Sequence, residues 1–227
     1  MGELVDIAKK TPGHLKLPGS CVCALNNFLD IYEQYFSPFK NKPINFLEIG
    51  VQKGGSLKIW KEYFPNAQVY GIDIKPDTKR FEEKRIHILI GNQEDSKFTT
   101  DLCNFDIIID DGGHQQHEQI NSLKLLWNHV NPKGLYIIED ICTAYWSAFG
   151  GGYGNPNTSI SFVKNLIDNV NYMHAATDAC WTYQEYLKII NDEKIKRTSP
   201  AKEEVPNING TLDSIHFYEA LAILVKK

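Results

Sequence analysis

Asp111, Glu139 and Asp140 are the residues of this sequence whose type and placement point most directly to chemistry. Each lies at the end of a short apolar run. Phe105-Asp-Ile-Ile-Ile-Asp110-Asp111 leads into Gly-Gly-His114, and Leu135-Tyr-Ile-Ile leads into Glu139-Asp140. Three carboxylates held together repel one another unless they are protonated or neutralised by a cation. An all-oxygen set suits Mg²⁺, Mn²⁺ or Ca²⁺ better than Zn²⁺. His114 follows Asp111 by about one helical turn and can reach the same spot from the side. The same residues also admit a plainer reading, with Asp-Asp-Gly-Gly as a turn and helix cap and Glu139-Asp140 as a polar strand end.

The acids meet only if their two runs are neighbouring strands. Residues 105–109 and 135–138 read as buried parallel strands, Ile-rich and too short for helices. Between them, residues 115–130 carry Ile120, Leu123, Leu126, Trp127 and Val130 at helical spacing, followed by the stop signal Asn131-Pro132-Lys-Gly134. This is a β-α-β unit, with a right-handed crossover expected. Three further buried strands precede it, at 44–50, 68–74 and 84–90, with a helix through Leu57, Ile59, Trp60 and Tyr63 after the first. A helix is expected from Ile160 to Val170, and two closely spaced strands, 214–218 and 220–225, close the chain. The fold class is therefore α/β: a doubly wound, Rossmann-like, mostly parallel seven-stranded sheet with a C-terminal antiparallel strand pair.

Residues 1–40 read as an N-terminal arm or cap followed by a packing helix, whose apolar and aromatic residues recur from Val22 to Phe39. Residues 41–227 form the main domain. Within it, 141–160 sets Tyr145, Trp146 and Tyr153 among glycines and reads as a movable wall or lid against a substrate. Residues 175–210 carry few signals, and 194–209 is expected to be an exposed loop.

With 227 residues, 23% charged and 42% hydrophobic, and a net charge of −4, the composition is that of a globular domain with no nucleic-acid surface. No apolar run is long enough to span a bilayer, and the first residues lack a signal-peptide pattern, so a cytoplasmic protein is expected. The five cysteines are odd in number and dispersed, which suits free thiols.

Glu48-x-Gly50-x-x-x-Gly54-Gly55-Ser56 lets backbone approach a ligand at the switch from strand to helix. It is neither the Gly-x-Gly-x-x-Gly of dinucleotide sites nor a P-loop. Asp73 ends the second strand, where it can accept from a ribose diol, and Gly91-Asn92-Gln93 ends the third, where it can meet an adenine ring. Each alone is equally a tight turn or a cap, and the ordered set carries more weight than its members.

That series resembles the class I S-adenosylmethionine-dependent methyltransferases. More narrowly, residues of about 44–170 resemble metal-dependent sugar O-methyltransferases of the macrolide type, a group related to the cephalosporin hydroxylase proteins. The shared pattern is Gly-Ile-Asp73-Ile, Gly91-Asn-Gln93, Ile-Asp110-Asp111-Gly-Gly-His114, Tyr-Ile-Ile-Glu139-Asp140 and Thr143-Ala-Tyr-Trp146. Two departures are Gly113, where the family more often has Ser, and a short region before the first strand, where members can carry an auxiliary domain. The resemblance implies Asp111, Glu139 and Asp140 as ligands of Mg²⁺ (or Mn²⁺) and His114 as general base. It implies a cofactor side made by Glu48, Gly50, Gly54, Ser56, Asp73, Gln93 and Asp110, and acceptor contacts from Tyr145, Trp146 and Tyr153. The implied reaction moves the methyl group of S-adenosylmethionine to a hydroxyl of a sugar, in a surface polysaccharide or a glycosylated metabolite, by a homo-oligomeric enzyme. The alternatives are a metal-dependent hydroxylase and a catechol-like O-methyltransferase.

Overall fold

The computed structural model describes residues 2–19, 28–171, 184, 208 and 210–227. Seven strands make one sheet: β1 (Asn45–Ile49), β2 (Gln68–Asp73), β3 (Ile86–Ile90), β4 (Phe105–Asp110), β5 (Val130–Glu139), β6 (Leu212–Tyr218) and β7 (Leu221–Lys226). Their order across the sheet is β3-β2-β1-β4-β5-β7-β6. The first five run parallel, and β7 lies antiparallel between β5 and β6. This is the doubly wound sheet with a C-terminal antiparallel pair expected from the sequence. Strand order reverses between β1 and β4, so their carboxyl ends open a crevice for a ligand.

The sheet is buried on both faces because its strands alternate apolar residues in both directions. In β5, Leu135 and Ile137 join the core on one face, with α1 (Glu3–Lys10), α2 (Phe28–Phe36) and α3 (Gly55–Tyr63). Tyr136 and Ile138 join the other, whose cover includes α5 (Gln116–Leu126) and α6 (Ser159–Asn165). Among the described residues, the short helices α4 (Ser96–Thr100) and α7 (Ile167–Val170) are also present.

Several local expectations shift. Helix α1 buries Leu4, Val5, Ile7 and Ala8, so part of the expected arm belongs to the core. The aromatic helix is described from Phe28 and becomes a 3-10 turn at Ser37, where Pro38 follows; its expected start at Val22 lies outside the described residues. Asn131-Pro132-Lys133-Gly134 is a bulge within β5: Phe105 pairs with Val130, whereas Ile107 pairs with Leu135. Lys133 takes the left-handed conformation there, with φ 64°. The loop expected at 194–209 lies outside the described residues apart from Ile208, which is buried. No helix among the described residues is long and apolar enough to cross a membrane.

Candidate active site

The crevice is a cavity of about 390 Å³ at the carboxyl ends of β1, β2, β3 and β4. A pocket of this size suits a small molecule or cofactor. Its floor depends on Gly50, which has φ +94° and follows β1 directly. A Cβ there would stand 2.1 Å from the carbonyl oxygen of Asp111, so only glycine lets the ends of β1 and β4 come this close. Gly54 takes φ +70° and caps α3. In the first turn of that helix, the Ser56 hydroxyl donates to Glu48 Oε2 at 2.5 Å.

Asp73, expected at the ribose of a cofactor, accepts here from three backbone N–H groups. Its Oδ2 accepts from the backbone N–H groups of Val51 and Gln52 at 3.0 and 3.2 Å, and its Oδ1 accepts from Lys75 N–H. The carboxylate thus shapes the loop after β1, while still lining the cavity. Gln93 also lines it, but its amide donates to Ser122 Oγ at 2.7 Å and, more weakly, to Asp110. Asp110 is 1% exposed and is not part of the wall. Burial pushes its carboxyl up to about 7, and it accepts from Tyr136 OH and Gly112 N–H. Its position makes it a support under the loop after β4.

The acidic centre holds an unexpected member. Lys16 is 4% exposed, and its ammonium stands 2.6 Å from Asp111 Oδ2, 2.7 Å from Glu139 Oε1 and 3.1 Å from Glu48 Oε1. Burial alone would lower the pKa of this ammonium, but the carboxylates overcome it and raise it well above the ordinary lysine value. Burial likewise raises the carboxyls of Glu48 and Glu139, and the nearby ammonium opposes that rise. Tyr32 of α2, fully buried, donates its hydroxyl to the same Glu139 oxygen at 2.6 Å.

On the open side, His114 Nε2 lies 3.8 Å from Asp111 Oδ1 and 3.6 Å from Asp140 Oδ2, too long for hydrogen bonds. Both His114 and Asp140 are non-glycine residues with positive φ, 59° and 53°. Such strain gathers at functional sites. The Thr143 hydroxyl donates to the His114 carbonyl at 3.2 Å, and Gln116 ties Thr143 to Ser159. The segment 141–160 is thereby bound to the start of α5, next to His114.

The carboxylates of Asp111 and Asp140 suit a hard divalent cation, with the His114 ring beside them. Asp111, His114 and Asp140 each offer one ligand atom, and these atoms lie within 4.8 Å of one another. Buried His114 Nδ1 makes no hydrogen bond to any described residue. Glu139, expected as a third ligand, accepts at Oε1 from Lys16 and Tyr32. Tyr145, Trp146 and Tyr153 are 48%, 38% and 95% exposed. Tyr145 stacks with Tyr153, and Phe149, which the sequence did not single out, bridges Trp146 and the His114 ring at 6.0 and 6.4 Å. Lys16 and Tyr32 were missed altogether. No spacing around either marks them, since Lys16 sits in a Pro- and Gly-punctuated stretch and Tyr32 in an aromatic stripe that reads as core.

No protein-family model matches the chain. It is 34% identical over 221 residues to the 8-demethyl-8-alpha-L-rhamnosyl tetracenomycin-C 2'-O-methyltransferase of Streptomyces olivaceus, covering 92% of this chain and 52% of that one. It is 38% identical over 169 residues to the mycinamicin VI 2''-O-methyltransferase of Micromonospora griseorubida, covering 68% of this chain and 42% of that one. Its close homologues are sugar O-methyltransferases. The fold agrees with that of the MycE methyltransferase from the mycinamycin biosynthetic pathway, in complex with Mg, SAH and mycinamycin VI. That match has a TM-score of 0.77 at 30% identity and covers 99% of this chain and 53% of the other. The chain spans about half the length of the curated relatives it matches.

Proposed function

We propose that this chain is an S-adenosylmethionine-dependent O-methyltransferase that methylates a sugar hydroxyl on a glycosylated small molecule, with Mg²⁺ as its metal. The carrying observation is that one cavity joins the glycine loop and Asp73 to Asp111, His114 and Asp140. The relatives named above, and a neighbour solved with Mg and SAH, support the same reading.

S-adenosylmethionine would supply an activated methyl group, and the divalent cation would supply positive charge where the acceptor oxygen loses its proton. Gly50 and the loop shaped by Asp73 would seat the cofactor, with Glu48 and Ser56 beneath it. Asp111 and Asp140 would hold the metal, with Glu139 as a third ligand. His114 Nε2 would take the acceptor proton as general base. The exposed faces of Tyr145, Trp146 and Tyr153, with Phe149, would carry the sugar ring, and 141–160 would act as the lid. A hydroxylase iron site wants two histidines and a carboxylate, and the cluster described here has one histidine. Assembly as a homo-oligomer in the cytoplasm belongs to the same proposal, and light scattering tests the assembly.

The deciding experiment is a calorimetric titration with S-adenosylhomocysteine, with NAD as control and with Mg²⁺ or chelator present. Binding of S-adenosylhomocysteine alone, followed by chelator-sensitive methylation of rhamnosylated or macrolide acceptors, is the expected result. No binding under any condition removes the methyltransferase reading.

A further inference from the structure

Residues 13–16 form one wall of the cavity, and the chain around them is anchored on both sides. Gly55 N–H donates to the Gly13 carbonyl at 3.2 Å, where a Cβ on Gly55 would collide with Gly13 backbone. His14 Nε2 contacts the Ala8 carbonyl at 2.9 Å, and its Nδ1 accepts from Lys16 N–H. This tether holds the Lys16 side chain among acids that are far away in sequence. The Lys16 ammonium donates hydrogen bonds to Asp111 Oδ2 and Glu139 Oε1 and forms an ion pair with Glu48 Oε1 at 3.1 Å.

Two of those three acids are also expected metal ligands. Asp111 divides its oxygens, Oδ2 toward Lys16 and Oδ1 toward His114, while Glu139 Oε1 is committed to Lys16 and Tyr32. A second cation that shares these oxygens is repelled by the first. One ammonium among three carboxylates still leaves net negative charge, so a doubly charged ion of oxygen preference is the natural competitor.

We propose that Lys16 is the resident cation of the acidic site, and that divalent metal loads by exchange, with Lys16 withdrawing from Asp111 and Glu139. This rests on the metal reading above and adds to it a residue that sets how readily the site is loaded. Before loading, Lys16 holds the three acids together without a metal. On loading, Glu139 is released to join Asp111 and Asp140, and the wall at residues 15–17 loosens.

The test is calorimetric titration of magnesium chloride into the wild-type protein and into Lys16→Met and Lys16→Arg variants matched for circular dichroism and melting behaviour. Removing the competitor should tighten Mg²⁺ binding by about tenfold or more, which corresponds to a wild-type site open about a tenth of the time or less. Lys16→Arg, which keeps the charge, should bind as weakly as wild type or more weakly. Equal or weaker binding by Lys16→Met overturns the exchange. Absence of binding in all three proteins removes the metal reading itself, and the exchange with it. Amide hydrogen exchange on the wild type needs no variant: residues 15–17 should exchange faster at saturating Mg²⁺, and unchanged protection there while Mg²⁺ binds overturns the proposal.

Discussion

Removing one hydroxyl tests whether α2 is coupled to the acidic centre. Tyr32 is buried, and its hydroxyl donates to Glu139 Oε1 at 2.6 Å. Burial, together with the Glu139 charge, pushes this phenol well above its usual pKa, so it remains a proton donor. Tyr32→Phe keeps the ring contacts with Phe36 and Trp60, at 5.0 and 5.8 Å, and deletes only the donor. A hydrogen bond to a charged group contributes about 1.5–3 kcal/mol, and the carboxylate left behind is buried. With a urea dependence of about 2.5 kcal/mol per molar, the unfolding midpoint should fall by about 0.6–1.2 M at unchanged slope. The melting temperature should fall by roughly 3–12 °C. Tyr35→Phe is the control. Its hydroxyl meets the Tyr218 hydroxyl at 2.8 Å in a part-buried neutral pair, and its loss should cost about 0.5–1.5 kcal/mol. A Tyr32→Phe protein within about 0.5 kcal/mol of wild type would refute the reasoning, because the bond would then add nothing beyond what water supplies to the unfolded chain.

Gly50→Ala places a Cβ against the Asp111 carbonyl in a left-handed conformation, so it should destabilise the fold by about 2–5 kcal/mol and abolish S-adenosylhomocysteine binding; a stable variant with intact binding, by urea titration and calorimetry, contradicts the cradle. His114→Gln should lower turnover by about 10²–10⁴-fold with little change in cofactor affinity, and initial rates at saturating cofactor check it. The His117 Nδ1–H donates a hydrogen bond to Glu94 Oε1 at 2.9 Å, which raises the His117 pKa above the usual 6.5. The folded value therefore exceeds the unfolded one, so the pair's small contribution is complete below about pH 6.5 and fades as pH rises through the folded pKa. An NMR titration should show that midpoint falling in Glu94→Gln, and an unmoved midpoint would break the assignment.

The sheet was legible because its strands declare themselves locally. Phe105–Asp110 and Leu135–Glu139 are short Ile-rich runs, and a parallel strand buried on both faces can be little else. Once those runs are neighbours, the acids that end them must share the crevice, so Asp111, His114 and Asp140 follow from chain order. Asp73, Gln93 and Asp110 were placed correctly along the chain, but their partners were not legible. Whether a carboxylate faces a ligand or its own backbone depends on loop geometry, and here Asp73 took the N–H groups of Val51 and Gln52 while Asp110 was buried beneath the wall.

Lys16 and Tyr32 belong wholly to the tertiary structure. Lys16 meets Asp111 across 95 residues of sequence, and Tyr32 meets Glu139 across 107. Neither contact has a local pattern, because the stabilisation of a buried ammonium or phenol by a carboxylate exists only after folding has removed water from both. The sequence by itself determined the strands along the chain and the acids at their ends; their order across the sheet, and the path of residues 11–19 that sets the Lys16 ammonium among those acids, came only with folding.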